Sequence, residues 1–137
     1  MMTTLLSCGL WFLLGTQTLV AAEVAKPAAT DPSKTQEFLK ATPELLDMGK
    51  VVFAVHCVRC HGPEGRGDGV EETKLPVAPT NFRKVRMKYG DALESVVQTV
   101  AKGRSELVMP SFQGALSTKE IWAAAHFVKS LMPAKYD

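Results

Sequence analysis

Apolar and polar positions divide the 137-residue chain into stretches of different character. Residues 5–22 form an apolar stretch diluted by Ser7, Gly9, Gly15, Thr16, Gln17 and Thr18, and residues 1–22 carry no charged side chain. Residues 23–41 mix Ala, Pro, Lys, Thr and Asp without a period, which predicts a flexible linker. From residue 42 onward apolar positions recur at helical spacing in three places. The first predicted helix starts at Thr42, with Pro43 in its first turn, and runs toward Cys57. The second opens with Asp91-Ala92-Leu93-Glu94, an N-cap acid followed by Glu three residues on, and closes at Gly103. Its stripe of Leu93, Val96, Val97, Val100 and Ala101 follows one helix face. The third opens with the capping box Ser117-Thr118-Lys119-Glu120 and ends before Pro133. It turns Ile121, Ala124, Ala125, Val128 and Leu131 to one side. At about 100° per residue, His126 falls nearly opposite that side and is predicted to be solvent-exposed and no metal ligand. No stretch alternates as a half-buried strand does. The folded unit, residues 42–137, is therefore predicted to be all-α.

The apolar leader ends in Val20-Ala21-Ala22 before Glu23, a small-residue pattern that suits a signal peptidase. Residues 1–22 are accordingly expected to be a signal peptide. An uncleaved membrane anchor and a lipidated Cys8 are the competing readings, and each of the three exports the domain. Sixteen Lys and Arg against fourteen Asp and Glu leave a formal charge of +2. That excess is too small for a protein whose work is to neutralise nucleic-acid phosphates. Three helices joined by long Gly- and Pro-rich connections make only a modest core. Residues 62–88 in particular need a partner to pack against, and a large buried prosthetic group supplies one.

Three cysteines cannot all pair. Cys8 lies in the leader, and the other two sit in Cys57-Val58-Arg59-Cys60-His61. C-x-x-C-H is the attachment signature of c-type haem. Two thiols one helical turn apart span the two vinyl groups of the porphyrin. His61, next in the chain, is then held beneath the ring plane, where a neutral imidazole binds iron as the proximal ligand. A zinc site needs four ligands, and neither His56 nor His126 comes with a second cysteine pair. A thioredoxin-like redox pair wants a βαβ setting, which is absent. One covalent haem c is the expected cofactor.

Gly49-x-x-x-Phe53-x-x-x-Cys57-x-x-Cys60-His61-Gly62, followed by Met109-Pro110-x-Phe112 and a last helix over 121–131, resembles the class I cytochromes c. The match covers residues 48–132. The resemblance implies three to four helices around one haem, with electron transfer as the task. It implies that Gly49 lets the last helix cross closely on its Phe127 side and that Phe53 packs toward the haem. It also implies a proline-containing segment whose backbone carbonyl accepts the Nδ1–H of the proximal histidine, and Pro79 is the candidate. Met109 is the expected sixth iron ligand. Met1 and Met2 lie in the leader, Met48 sits on the proximal side, and Met132 ends the last helix. Met87 is the rival, but Arg86 and Lys88 flank it in a solvated setting. Met109 follows the short apolar approach Leu107-Val108, and Pro110 stiffens the loop beyond it.

The remaining features add less. The glycine-rich run from Gly62 to Gly69 lacks the strand and the spacing of a phosphate loop and is expected to hug the haem edge. Arg83, Lys84, Arg86 and Lys88 put four positive charges within six residues. They read as a docking patch for an acidic redox partner, and equally as a solvated face or as partners of the haem propionates. Glu64, Asp68, Glu71 and Glu72 read as plain surface, and Tyr89 and Trp122 as packing aromatics. No nucleophile or acid–base pair is evident. The chain is thus expected to be an electron-transfer protein and no enzyme, passing one electron between exported, periplasmic redox partners such as a dehydrogenase, a cytochrome complex or a terminal oxidase or reductase. Two alternatives stay open: a membrane-anchored electron-transfer subunit of a respiratory or dehydrogenase complex, and a haem gas sensor with an open sixth site.

Overall fold

The computed structural model describes residues 36–84 and 86–134, so the leader expected over 1–22 and most of the 23–41 linker lie outside the described residues. The elements in order are α1 (Pro43–His56), α2 (Val58–His61), a 3-10 turn at Glu72–Lys74, α3 (Leu93–Lys102), a 3-10 turn at Ser105–Leu107 and α4 (Thr118–Leu131). Among the described residues there is no strand, only two isolated bridges. The fold is all-α, as its patterning predicts.

Local signals start two of the long helices where the sequence places them. Thr42 Oγ1 accepts from Leu45 N–H at 3.2 Å, with Pro43 in the first turn of α1. Ser117 and Glu120 form a reciprocal capping box at the head of α4. α3 departs from expectation: its N-cap is Ala92, and no side chain caps it. The Asp91 carboxylate turns back instead, accepting from Met87 N–H at 2.7 Å and pairing with Arg86 at 3.5 Å. A short acidic side chain serves whichever backbone donor the turn brings nearest, and here that donor precedes it.

α4 is the centre of the molecule. α1 crosses it at Gly49, where a Cβ would run into the Ala123 carbonyl and stand 2.9 Å from Phe127 Cβ. Only a residue without a side chain lets the two helices approach so closely. α3 packs against another side of α4 through Val96, Val97 and Val100, all buried. Each fully buried side chain of this size contributes roughly 1.5–3 kcal/mol. A third side is covered from outside the predicted domain. Phe38, within the stretch expected to be linker, is buried with its ring centroid 6.4 Å from that of Trp122. Its carbonyl accepts a hydrogen bond from His126 Nε2 at 2.7 Å.

That contact corrects the expectation for His126, which is 6% exposed and buried. The helical-wheel argument assumes one core face. α4 has neighbours on three sides, so Ile121, Trp122, Ala123, Ala124, Ala125 and His126 are buried in unbroken succession.

Candidate cofactor site

α1 passes to α2 at Cys57, and α2 ends one turn later at His61. The N–H groups of Cys60 and His61 both bond to the Cys57 carbonyl, at 3.2 and 2.9 Å, which keeps the two thiols and the imidazole on a single turn. Both cysteines are free and partly buried. Burial, with Cys60 nearby as a lesser cause, pushes the Cys57 thiol up to about 11. It is therefore a neutral S–H at neutral pH.

The chain leaves α2 through Gly62 and folds back beneath it. Gly67 N–H bonds to the His61 carbonyl at 2.8 Å, Gly69 N–H to Cys60 at 3.1 Å and Glu71 N–H to Arg59 at 2.9 Å. The orphan carbonyls at the helix end are thereby satisfied. Gly67 has φ +77° and lies against the Pro79 carbonyl with no room for a Cβ.

That packing decides which carbonyl meets the histidine. His61 Nδ1 lies 3.3 Å from the Thr80 carbonyl, not from that of Pro79. Successive carbonyls of an extended chain point opposite ways. With Pro79 turned to Gly67, the next one faces His61. A carbonyl only accepts, so Nδ1 carries the proton and Nε2 keeps its lone pair. The ring stacks on Phe82 at 4.7 Å and 20°. Burial lowers the His61 pKa, with the Thr80 bond opposing it, and the neutral imidazole is favoured.

Met109 is held from both sides. Arg104 N–H donates to the Met109 carbonyl at 2.8 Å and Met109 N–H to the Arg104 carbonyl at 3.0 Å, closing a tight loop. Within it Val108 adopts φ +60°, a costly conformation for a β-branched residue. Beyond Met109, Ser111 Oγ and Gln113 N–H both bond to the Ala101 carbonyl, at 2.7 and 3.0 Å, tying the chain to the end of α3.

Between these elements lie two adjoining clefts. The first is bordered by Cys60, Pro79 and Phe112, the second by Phe53, Phe82, Val96 and Val128. Cys57, His61, Thr80, Leu107 and Met109 line both, so the clefts are halves of one slot. Two thiols at its edge, a neutral imidazole and a thioether in its walls, and apolar surfaces between them fit the donor set of a covalently bound haem. Met87 also lines the second cleft and packs partly buried against the core. Its setting is not the solvated one expected, but it does not reach the first cleft.

Elsewhere, Tyr89 donates its hydroxyl to Glu106 at 2.7 Å, and Trp122 packs on Phe38. Arg83, Lys84, Arg86 and Lys88 are all exposed, although Arg83 Nε reaches the Glu64 carbonyl at 2.9 Å. Glu64 pairs with Arg66, and Glu71 with Arg59 and Lys74. The hydrogen bonds from Arg66 and from Arg59 hold these two carboxyls below the usual range. Sequence patterning does not point to Thr80, Phe82 or Arg104. Thr80 is signalled only by its place beside Pro79, and Phe82 by nothing.

A family model described as cytochrome c oxidase, cbb3-type, subunit III, matches residues 44–128. The cbb3-type cytochrome c oxidase subunit FixP of Bradyrhizobium diazoefficiens is 34% identical over 83 residues, 61% of this chain and 26% of that protein. Cytochrome c6 of Microcystis aeruginosa is 35% identical over 81 residues, 58% of this chain and 89% of that one. A chain of the Kuenenia stuttgartiensis reducing HAO-like protein complex superposes with a TM-score of 0.65 at 32% identity, over 69% of this chain and 47% of that one. The chain thus spans about a quarter of the length of FixP.

Proposed function

The chain belongs to the class I c-type cytochromes, and from that premise we propose that it is a monohaem electron carrier whose haem c is bonded to Cys57 and Cys60 and whose iron is held by His61 and Met109. When bound, haem c supplies one iron that alternates between Fe(III) and Fe(II), one electron at a time. The rest is the work of the chain. Cys57 and Cys60 would hold the group through two thioether bonds, each thiol S–H adding across a vinyl C=C with no net redox change. His61 offers Nε2 from a ring oriented by Thr80 and Phe82. The Met109 thioether, a soft donor, favours the reduced metal and raises the potential relative to a second histidine. Phe53, Val96, Val100 and Val128 keep water out of one half of the slot.

The observation that carries this reading is the single slot with His61 and Met109 in its walls and both cysteines on its border. The test is denaturation in acidified organic solvent: the chromophore stays on the polypeptide, and freely extracted haem refutes the reading. Carbon monoxide binding to the reduced wild-type protein distinguishes a sensor with an open sixth position from a carrier with Met109 bound.

The likeness to FixP and to the HAO-like complex favours a second reading, an electron-transfer part of a larger membrane-bound assembly. N-terminal sequencing separates the two. A start at Glu23 fits a free periplasmic carrier, and an intact Met1 fits an anchored subunit. Among the described residues no helix is long and apolar enough to cross a membrane. In either setting the partners are redox proteins, and Arg83, Lys84, Arg86 and Lys88 steer an acidic one at low salt. The chain acts as a carrier and is no enzyme by itself.

A further inference from the structure

The loop from Arg104 to Met109 contains one residue badly suited to its place; any role for it rests on the reading of Met109 as the sixth ligand. Val108 has φ +60° and ψ +18°, the left-handed conformation, at the end of the 3-10 turn Ser105–Leu107. It is the one residue other than glycine with positive φ among the described residues. That conformation costs an L-residue enough to shift an equilibrium by roughly five- to thirtyfold, and a β-branched side chain suits it least. Glycine and asparagine adopt it readily. Burial does not offset the cost, because Val108 is 52% exposed.

The loop is joined to the rest of the domain so that it can part from it as a unit. Before it, Gly103 N–H bonds to the Thr99 carbonyl at 2.9 Å; beyond it, Ser111 Oγ and Gln113 N–H bond to the Ala101 carbonyl. Both ends are thus tied to α3. None of residues 104–110 is buried. Polar bonds shut the loop: the Arg104–Met109 bridge, Leu107 N–H to the Arg104 carbonyl at 2.9 Å, Val108 N–H to the Ser105 carbonyl at 3.1 Å, and the Tyr89 hydroxyl on Glu106. A segment with shallow burial and exposed hydrogen bonds opens locally at less than the global unfolding free energy.

We propose that Val108 is a positioning residue for the sixth ligand: its backbone strain exists only while the loop is closed, and so sets how readily Met109 yields its place to an incoming small ligand. Opening lets Val108 return to extended backbone, which favours the open loop by the strain released. The apparent affinity of a ligand for the vacated position is its intrinsic affinity multiplied by the fraction of open loop. Val108 therefore holds that affinity above the value that glycine or asparagine would give.

The test titrates the oxidised holoprotein with imidazole, a small neutral ligand whose binding removes the sulfur–iron charge-transfer band. Val108→Asn is expected to weaken imidazole binding by about fivefold, and Val108→Gly by less, because glycine also frees the open loop. Val108→Thr keeps the branched Cβ and is expected to bind as the wild type does, which separates strain from side-chain polarity. Val108 also borders the first cleft, so a side chain acting only as a lid predicts the opposite sign. Tighter binding in Val108→Asn and Val108→Gly therefore overturns the proposal. A merely structural strain raises the urea midpoint of these two variants and leaves imidazole binding unmoved, and that result overturns it as well. In the untreated wild type, the Arg104 and Met109 amides are expected to exchange with solvent faster than those of Gly103 and Gln113, which bracket them. Equally slow exchange at all four denies the loop an opening of its own and refutes the assignment. Absence of the sulfur–iron band from the untreated wild type is a separate result, which defeats the reading of Met109 as ligand.

Discussion

Arg104 and Met109 exchange reciprocal backbone hydrogen bonds of 2.8 and 3.0 Å, so the thioether is carried on a closed loop and not on a free strand of chain. As the proposed sixth ligand, Met109 would lose little conformational freedom on binding. Replacing Met109 by Ala is expected to abolish the weak long-wavelength sulfur–iron band, lower the potential and open the reduced iron to carbon monoxide. Met87→Ala is expected to keep the band. The reverse pattern in the two variants moves the sixth ligand to Met87, which also lines the second cleft.

The crossing of α1 and α4 has no room for a methyl group at Gly49, and the obstacle is the backbone of Ala123. A backbone atom cannot rotate aside, so Gly49→Ala must push the helices apart. The expected cost is at least about 1–3 kcal/mol. The urea midpoint of the oxidised holoprotein measures it, and a midpoint equal to the wild type contradicts the packing described.

His126 ties α4 to the backbone of Phe38 and touches no part of the slot. His126→Ala leaves a cavity and an unanswered carbonyl, with an expected loss of about 2–4 kcal/mol. The haem spectrum should be unchanged. A variant with normal stability and an altered spectrum would give His126 the opposite role.

The capping box at the head of α4 predicts a pH dependence. Hydrogen bonds from the Ser117 side chain and backbone hold the Glu120 carboxyl below its ordinary value of 4.5. Because the folded value is depressed, the stabilisation is fully present above 4.5 and fades as the pH falls through the folded value. The stability difference between wild type and Glu120→Gln is therefore largest near neutrality and vanishes in acid. Ser117→Ala, which removes the reciprocal bond, is expected to cost about 1 kcal/mol near neutrality. A difference that grows on acidification contradicts the sign.

Helices and haem box were legible because their causes lie within a few residues of one another. Thr42 with Pro43 and Ser117 with Glu120 start their helices by contacts across one turn. The valines of α3 repeat at the helical period, and Cys57, Cys60 and His61 occupy a single turn by their spacing alone. What distant segments do to one another had no such local sign. Asp91 serves Met87 and not its own helix because of where the preceding turn lies. Thr80 and not Pro79 meets His61 because Gly67 takes the Pro79 side of the chain. His126 is buried because Phe38, 88 residues earlier, closes over it. Met109 lines both halves of the slot and Met87 only one, a difference that no local pattern carries. Capping and periodicity are properties of neighbours in the chain, and the sequence determined them by itself. Which carbonyl and which ring face a given group depends on packing between residues far apart in the chain, and only the tertiary structure decided it.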